Sequence, residues 1–376
     1  MSNEKTHALL SASSSKRWLT CTPSARLTEC YKEDSSEYAK QGTDAHELCE
    51  YKVRKLLGED VESPVENLDY YDQEMEQCSD MYASFVGQVI EAAKERCSDP
   101  VVLVEKQVDY SEYVPQGFGT ADAIVVADGT MCIIDFKYGQ GVEVSSEGNP
   151  QMMLYAVGAL NLFEELYDVD TIEMTIFQPR RDNISTASIG KDELLAWAEN
   201  EVKPKAAMAW AGEGELIAGP HCQFCRAKAT CRKRAEMWQE LAKYEFTEPA
   251  LLSDEEIATV LGKAKLIKDW LSDVESYALT EAVHGKKYQG FKLVEGRSTR
   301  KFTDEEAVAK AVIEAGYDPY VKKLRTITDL TKMLGKEGFE EVLGEYIHKP
   351  AGNPVLAPED DKRPETTTAK IEFKDL

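Results

Sequence analysis

Gly119-Thr120-Ala121-Asp122 and, thirteen residues beyond Asp122, Asp135-Phe136-Lys137 set two carboxylates and an amine in one short stretch of chain. Metal-assisted hydrolysis of a phosphodiester needs these groups. Two carboxylates can share a divalent cation, and a neighbouring ammonium can orient a bound water or neutralise charge growing on phosphorus. Taken alone, Asp-x-Lys is so short that an exposed ion pair on a hairpin reads equally well. Two further groups add to it. Gln41 to Glu50 should open a helix with Thr43 as N-cap, which puts His46 and Glu50 one turn apart on one face and offers an imidazole to the same cation. Pro150 should start another helix, with the Gln151 amide and Tyr155 phenol four residues apart and facing the same way.

A second chemistry lies downstream. Of nine cysteines, Cys222, Cys225 and Cys231 follow C-x2-C-x5-C spacing, so a tight turn can present two thiolates and the next helix a third. A fourth ligand is needed, and both Cys21 and Cys30 are available. Four thiolates suit a [4Fe-4S] cluster or a structural zinc. Cys49, Cys78, Cys97 and Cys132 are scattered and read as core thiols.

These residues require strands at 101–106, 121–126 and 131–137, the last two joined by the hairpin dipeptide Asp128-Gly129. On the third strand the period of two sends Asp135 and Lys137 to one face and Phe136 into the packed face opposite. A helical pair near 43–98, a helix at 150–167, a strand at 172–179 and a helix at 191–211 complete the block. Glu105, on the first strand, could approach the cation but reads first as a half-exposed strand carboxylate. If Cys21 and Cys231 share a centre they must meet, so the first domain should span 1–247. A long amphipathic helix at 253–284, a hairpin at 288–302 and helices at 304–314 and 327–335 form an accessory region, 248–348. The proline-rich, charged segment 349–376 reads as a disordered tail.

Composition restricts the partner. With 44 basic and 68 acidic residues the formal charge is −24, so attraction to a polyanion must be local. Nine of the carboxylates fall between Glu59 and Asp80, where Lys and Arg are absent. Positive stretches at 221–243 and 286–301 could track a phosphate backbone or serve solubility. An odd cysteine count and a polar N-terminus point to a reducing, cytoplasmic setting, and no apolar run is long enough for a bilayer.

In this order, Gly42/His46/Glu50, Gly119/Asp122, Asp135/Lys137 and Gln151/Tyr155 resemble the motifs of the RecB-like branch of the PD-(D/E)XK nucleases. The serine-rich lead-in to Cys21 and the three later cysteines are similar to its iron-sulfur members, the CRISPR-associated RecB-like exonucleases and the nuclease domain of the AddB helicase-nuclease subunit. Thr22 is inserted where those proteins usually have Cys-Pro. The whole chain resembles a phage and prophage family long carried as a domain of unknown function. The resemblance implies an α/β fold, a restriction-endonuclease-like mixed sheet flanked by helices, with an N-terminal helical insertion and a smaller α+β C-terminal region. It implies a metal-dependent DNA exonuclease, 5′ to 3′ by analogy, acting on a free DNA end during phage recombination or replication in a bacterial cytoplasm, with a single-strand-binding or annealing protein as partner. In that reading His46, Asp122, Asp135 and the carbonyl of Phe136 hold Mg2+ or Mn2+, Lys137 positions water, and Gln151 and Tyr155 hold the strand. Cys21, Cys222, Cys225 and Cys231 then bind a structural [4Fe-4S] cluster, Cys21 being favoured over Cys30 by its lead-in. The rival readings are a nuclease fold that binds DNA without turnover, and a structural zinc protein.

Overall fold

The computed structural model describes residues 8–31, 37–163, 167–236, 253–294, 304–314, 319–320 and 325–347. The chain divides into two compact units, Met1–Glu281 and Ala282–Leu376. The first is a five-stranded mixed sheet between helical layers, the expected fold class. Its strands, β1 (Val101–Asp109), β2 (Phe118–Ala127), β3 (Gly129–Phe136), β4 (Val169–Gln178) and β5 (Asn183–Gly190), lie in sequence order. All neighbours are antiparallel except β3 and β4. A parallel pair needs a crossover, and a helix at Pro150–Phe163 supplies it, its proline at the first helical position where no amide partner is lost.

Strand alternation splits the apolar residues between two cores. Ile124, Val126, Met131 and Ile133 face the crossover helix, whose Met152, Leu154, Ala156 and Val157 are fully buried. Ala123, Val125, Ile134 and Phe136 face the opposite layer. That layer is formed by α3 (Glu37–Leu56) and α4 (Gln73–Arg96), which follow two short helices, α1 (Ser15–Thr20) and α2 (Ser24–Leu27). Asp72 caps α4 by accepting a hydrogen bond from the Met75 amide at 2.7 Å. The crossover helix is α5; α6 (Lys191–Trp197) and α7 (Lys203–Ala211) are joined through a π-helical turn rather than forming one regular helix.

Several expectations need correction. Thr43 is not an N-cap: α3 begins at Glu37, and the Thr43 hydroxyl bonds back to the Ala39 carbonyl within the helix. The strand β5 was not foreseen; it alternates half-buried with exposed residues and carries Ser and Thr among its apolar positions. The long helix α8 (Asp254–Val283), expected in the accessory region, falls almost wholly in the first unit. In the second unit are α9 (Glu305–Glu314) and α10 (Ile327–Leu343), the latter kinked at Gly335. Residues 288–294 of the expected hairpin form no strand; 295–303, residues 247–249 and the tail lie outside the described residues. Among the described residues no helix is long and apolar enough to cross a membrane.

Candidate functional site

Three neighbouring strands carry the acidic residues: Glu105 on β1, Asp122 on β2 and Asp135 on β3. The helix α3 brings His46 to them from one side of the sheet. His46 Nδ1 lies 3.4 Å from Asp122 Oδ2, and the same oxygen accepts the Phe136 amide at 2.7 Å. The fully buried Phe136 ring meets the His46 imidazole edge-to-face, 5.4 Å between centroids, and packs on Tyr82 behind it. The apolar residue between Asp135 and Lys137 thus helps to set the imidazole. Burial opposes a charge on His46, but Asp122, with help from Asp135, outweighs it and lifts the imidazole to about 9. Asp122 is likewise resisted by burial, yet His46, Lys137 and the Phe136 amide hold it below the ordinary carboxylate value.

From the other side α5 contributes Gln151 and Tyr155. Asp135, 2% exposed, forms an ion pair with Lys137 through Oδ2 at 2.8 Å and accepts from Gln151 Nε2 through Oδ1 at 3.1 Å. Lys137 Nζ donates to Gln151 Oε1 at 3.2 Å, and Gln151 Nε2 reaches the Tyr155 hydroxyl at 3.2 Å. The Lys137 ammonium is thus the partner of the buried Oδ2, as Gln151 is of Oδ1. Burial lifts Asp135 above the ordinary carboxylate value, against Lys137 and with Asp122. Burial also opposes the ammonium, but Asp135 and Asp122 overcome it and keep Lys137 charged. Tyr155 is pushed far up by burial and stays a phenol. Gly119 has a steric role here, since a Cβ at this position would come within 2.7 Å of the Tyr155 ring.

Glu105 is half-buried on β1, as expected, but it leaves the strand pairing. Val104 pairs with Ala123 and Lys106 with Ala121, but Glu105, opposite Asp122, is skipped and has a left-handed backbone, φ +48. Among the described residues, the one group of three metal-ligating atoms lying within 4.8 Å of one another belongs to His46, Glu105 and Asp122. Asp135, expected to join His46 and Asp122, is engaged by Lys137 and Gln151. Burial, then Asp122, raise Glu105 to about 7. Glu50, the other acid of the His46 face, is tied to Arg54 at 2.8 Å.

The second centre joins residues from both ends of the first unit. Cys21, Cys222, Cys225 and Cys231 line one cavity, together with Arg17, His221, Lys228 and Arg234. Cys30 is exposed and outside it, its thiol turned to the Leu27 carbonyl at 3.9 Å. The Ile217 amide donates to Cys21 Sγ at 3.5 Å and the Gly219 amide to Cys222 Sγ at 3.4 Å. Burial would raise the Cys21 thiol, but His221 and the Ile217 amide hold it below its ordinary value, while burial raises Cys225. Asp273 of α8 pairs with Lys228 at 2.8 Å and Arg234 at 2.6 Å, so two cations of the expected basic stretch share one carboxylate. His221 and Arg17 escaped the sequence reading; His221 directly precedes a cysteine, which was the available signal.

Residues 7–364 match the family described as "Protein of unknown function (DUF2800)". The chain belongs to this family. Two solved structures are also similar to this DUF2800 chain over part of its length. SSO0001 is 14% identical, with 58% of this chain and 96% of that chain covered and a TM-score of 0.23. A protein named "Putative exonuclease" from Eubacterium rectale is 13% identical, with 60% and 91% covered and a TM-score of 0.33.

Proposed function

We propose that this chain is a metal-dependent DNA exonuclease. The observation that carries the reading is the continuous polar chain Asp135–Lys137–Gln151–Tyr155 running beside the Asp122–His46 pair. A divalent cation fits the donor set: the ligands offered are hard oxygens and one imidazole, and those of His46, Glu105 and Asp122 lie within 4.8 Å of one another. His46, Asp122, Asp135 and the Phe136 carbonyl would hold Mg2+ or Mn2+. When bound, the cation supplies Lewis-acid activation of water and of a phosphoryl oxygen.

The chain's own groups divide the remaining work. Lys137, held as an ammonium, cannot act as a base; it donates to a nucleophilic water or to an oxygen on which charge develops. Asp135 and the Gln151 carbonyl oxygen fix that ammonium. The Tyr155 hydroxyl, which accepts from Gln151, keeps its proton to donate to a phosphate or sugar of the bound strand, and Gln151 holds it in place. His46 must give up the proton that Asp122 favours before its nitrogen can serve as a ligand. The finer reading takes a free DNA end as substrate, 5′ to 3′ polarity, a place in phage recombination or replication, and a single-strand-binding or annealing protein as partner.

The cysteine centre fits a [4Fe-4S] cluster held by Cys21, Cys222, Cys225 and Cys231 as a structural staple. The four thiols line one cavity and come from the N-terminal segment and from residues 222–231, so a cluster there would tie the two together. The test of function is incubation of end-labelled single- and double-stranded DNA with Mg2+ or Mn2+, and with chelator. Release of mononucleotides from one end, lost with chelator and with Asp135→Ala, is expected. Metal-independent cleavage, or none under any condition, would refute the proposal.

A further inference from the structure

Arg17 is a cation set among thiols. It stands one helical turn before Cys21 at the end of α1, where the Cys21 amide donates to the Arg17 carbonyl at 2.8 Å, and both side chains line the cavity of the four cysteines. Its guanidinium is fixed through a single nitrogen. Nη1 donates to the Ser24 carbonyl at 2.9 Å, the Ser24 hydroxyl at 3.0 Å and the Thr28 hydroxyl at 3.3 Å. All of these acceptors are neutral. Among the described residues Nε and Nη2 make no hydrogen bond, and no carboxylate forms an ion pair with Arg17. The other cations of the cavity are answered differently, since Lys228 and Arg234 share Asp273. Burial opposes the Arg17 charge, while Cys225 and Cys21 favour it against Arg226. A charge withdrawn from water is costly unless an opposite charge meets it. Neutral thiols cannot supply that charge, and thiolates can.

We infer that Arg17 is the counter-charge of the four-cysteine centre, where it helps to retain the bound metal and raises the reduction potential of a cluster held there. The inference rests on the cluster reading of the cysteines and extends it beyond a staple. Two effects follow from one fixed cation. It favours thiolate over thiol, so protons compete less well with the metal for sulfur. It also stabilises the more negative, reduced form of a cluster above the oxidised form, because net charge and hydrogen bonds to the sulfurs set the potential. Ser24 and Thr28 anchor one edge of the guanidinium, which leaves its remaining donors for the cavity.

The test reads metal retention and potential rather than cleavage. Full-length wild type, Arg17→Gln and Arg17→Lys are prepared anaerobically, iron and acid-labile sulfide are counted, and release of iron to a chelator is timed. Arg17→Gln should release iron about tenfold faster than wild type, whereas Arg17→Lys, which keeps the charge, should stay within about twofold of it. A redox titration followed by electron paramagnetic resonance should find the ratio of reduced to oxidised cluster in Arg17→Gln down about tenfold at a fixed potential, equivalent to about 59 mV for one electron. Lost packing alone would speed release from both variants and leave that ratio unchanged. A measurement on wild type covers an Arg17→Gln chain that does not fold. With arginine carrying heavy nitrogen in its guanidinium, pulsed resonance of the reduced cluster should show a coupling to the label, and Arg17→Lys should abolish it. Equal release and equal potential in wild type and Arg17→Gln, equal defects in the two variants, or no coupling in labelled wild type would each overturn the inference. Zinc in place of iron would refute the cluster reading alone, and the release of zinc from the same three proteins would then decide the role of Arg17.

Discussion

Replacing Lys137 by Met should separate the stability of the site from its chemistry. The Lys137 side chain is 26% exposed but its partner Asp135 is only 3% exposed, so the variant strands a buried carboxylate rather than a surface lysine. Removing one member of a buried pair costs about 3–5 kcal/mol, and the Gln151 donor retained on Oδ1 places the loss near the lower bound, about 3 kcal/mol. At about 2 °C per kcal/mol for a unit of this size, the metal-free protein should melt roughly 6 °C lower. The loss should depend on pH. A carboxyl whose folded value lies above its unfolded value binds its proton more tightly when folded, so it favours folding in acid and loses that contribution as pH rises through the folded value. Without Lys137 the folded value climbs further, and the gap between variant and wild type should widen from mildly acidic to neutral pH. Asp135→Asn/Lys137→Met removes the stranded charge and should recover most of the melting temperature while cleavage stays abolished. Thermal melts at pH 5 and 8, with and without Mn2+, read all of this. A Lys137→Met protein that melts with wild type at pH 8, or a double variant no more stable than the single, would refute the buried-pair argument.

The proton that Asp122 helps keep on His46 up to about 9, and the one on Glu105 up to about 7, must leave before either binds a cation, so apparent Mn2+ affinity should climb over that interval. His46→Ala should bind more weakly and flatten the upper part of the climb, and an unchanged titration would return His46 to a structural role. Gly119→Ala drives a methyl into the Tyr155 ring at 2.7 Å; it should lower cleavage through a displaced Tyr155–Gln151 pair, while Gly42→Ala, with nothing within 4 Å, should be silent. If the four cavity thiols hold one cluster, Cys21→Ser and Cys231→Ser should each lose iron, brown colour and several degrees of melting temperature in anaerobic preparations, whereas Cys30→Ser and Cys49→Ser should keep all three. Iron retained by Cys21→Ser and lost by Cys30→Ser would reassign the fourth ligand.

Much of the site was legible because local geometry transmits spacing directly. Asp135 and Lys137 share a face because a strand repeats every two residues, and Gln151 and Tyr155 share one because a helix brings positions four apart together. Phe136 had to be buried for the same reason. Glycine at 119 was visible as part of a pattern, but its cause, the Tyr155 ring against its Cα, lies on another element. Thr43 was misplaced because capping propensity is a weak local signal, and α3 gains more by extending a full turn and a half earlier than by starting at a good cap. In β5 the half-buried pattern was diluted by hydroxyl residues that pair across strands, as Thr175 and Thr186 do at 2.9 Å.

The sequence by itself determined the types and order of the reacting groups and the periodicities that turn them to common faces, since those depend on neighbours within a few residues. Tertiary packing decided which of them meet. Cys21 rather than Cys30 faces the other three thiols because α1 and the turn after it pack against α7 and the loop near Ile217. Glu105 joins His46 and Asp122 where its left-handed backbone breaks the strand pairing opposite Asp122, and no spacing rule encodes a backbone conformation that only the surrounding fold enforces.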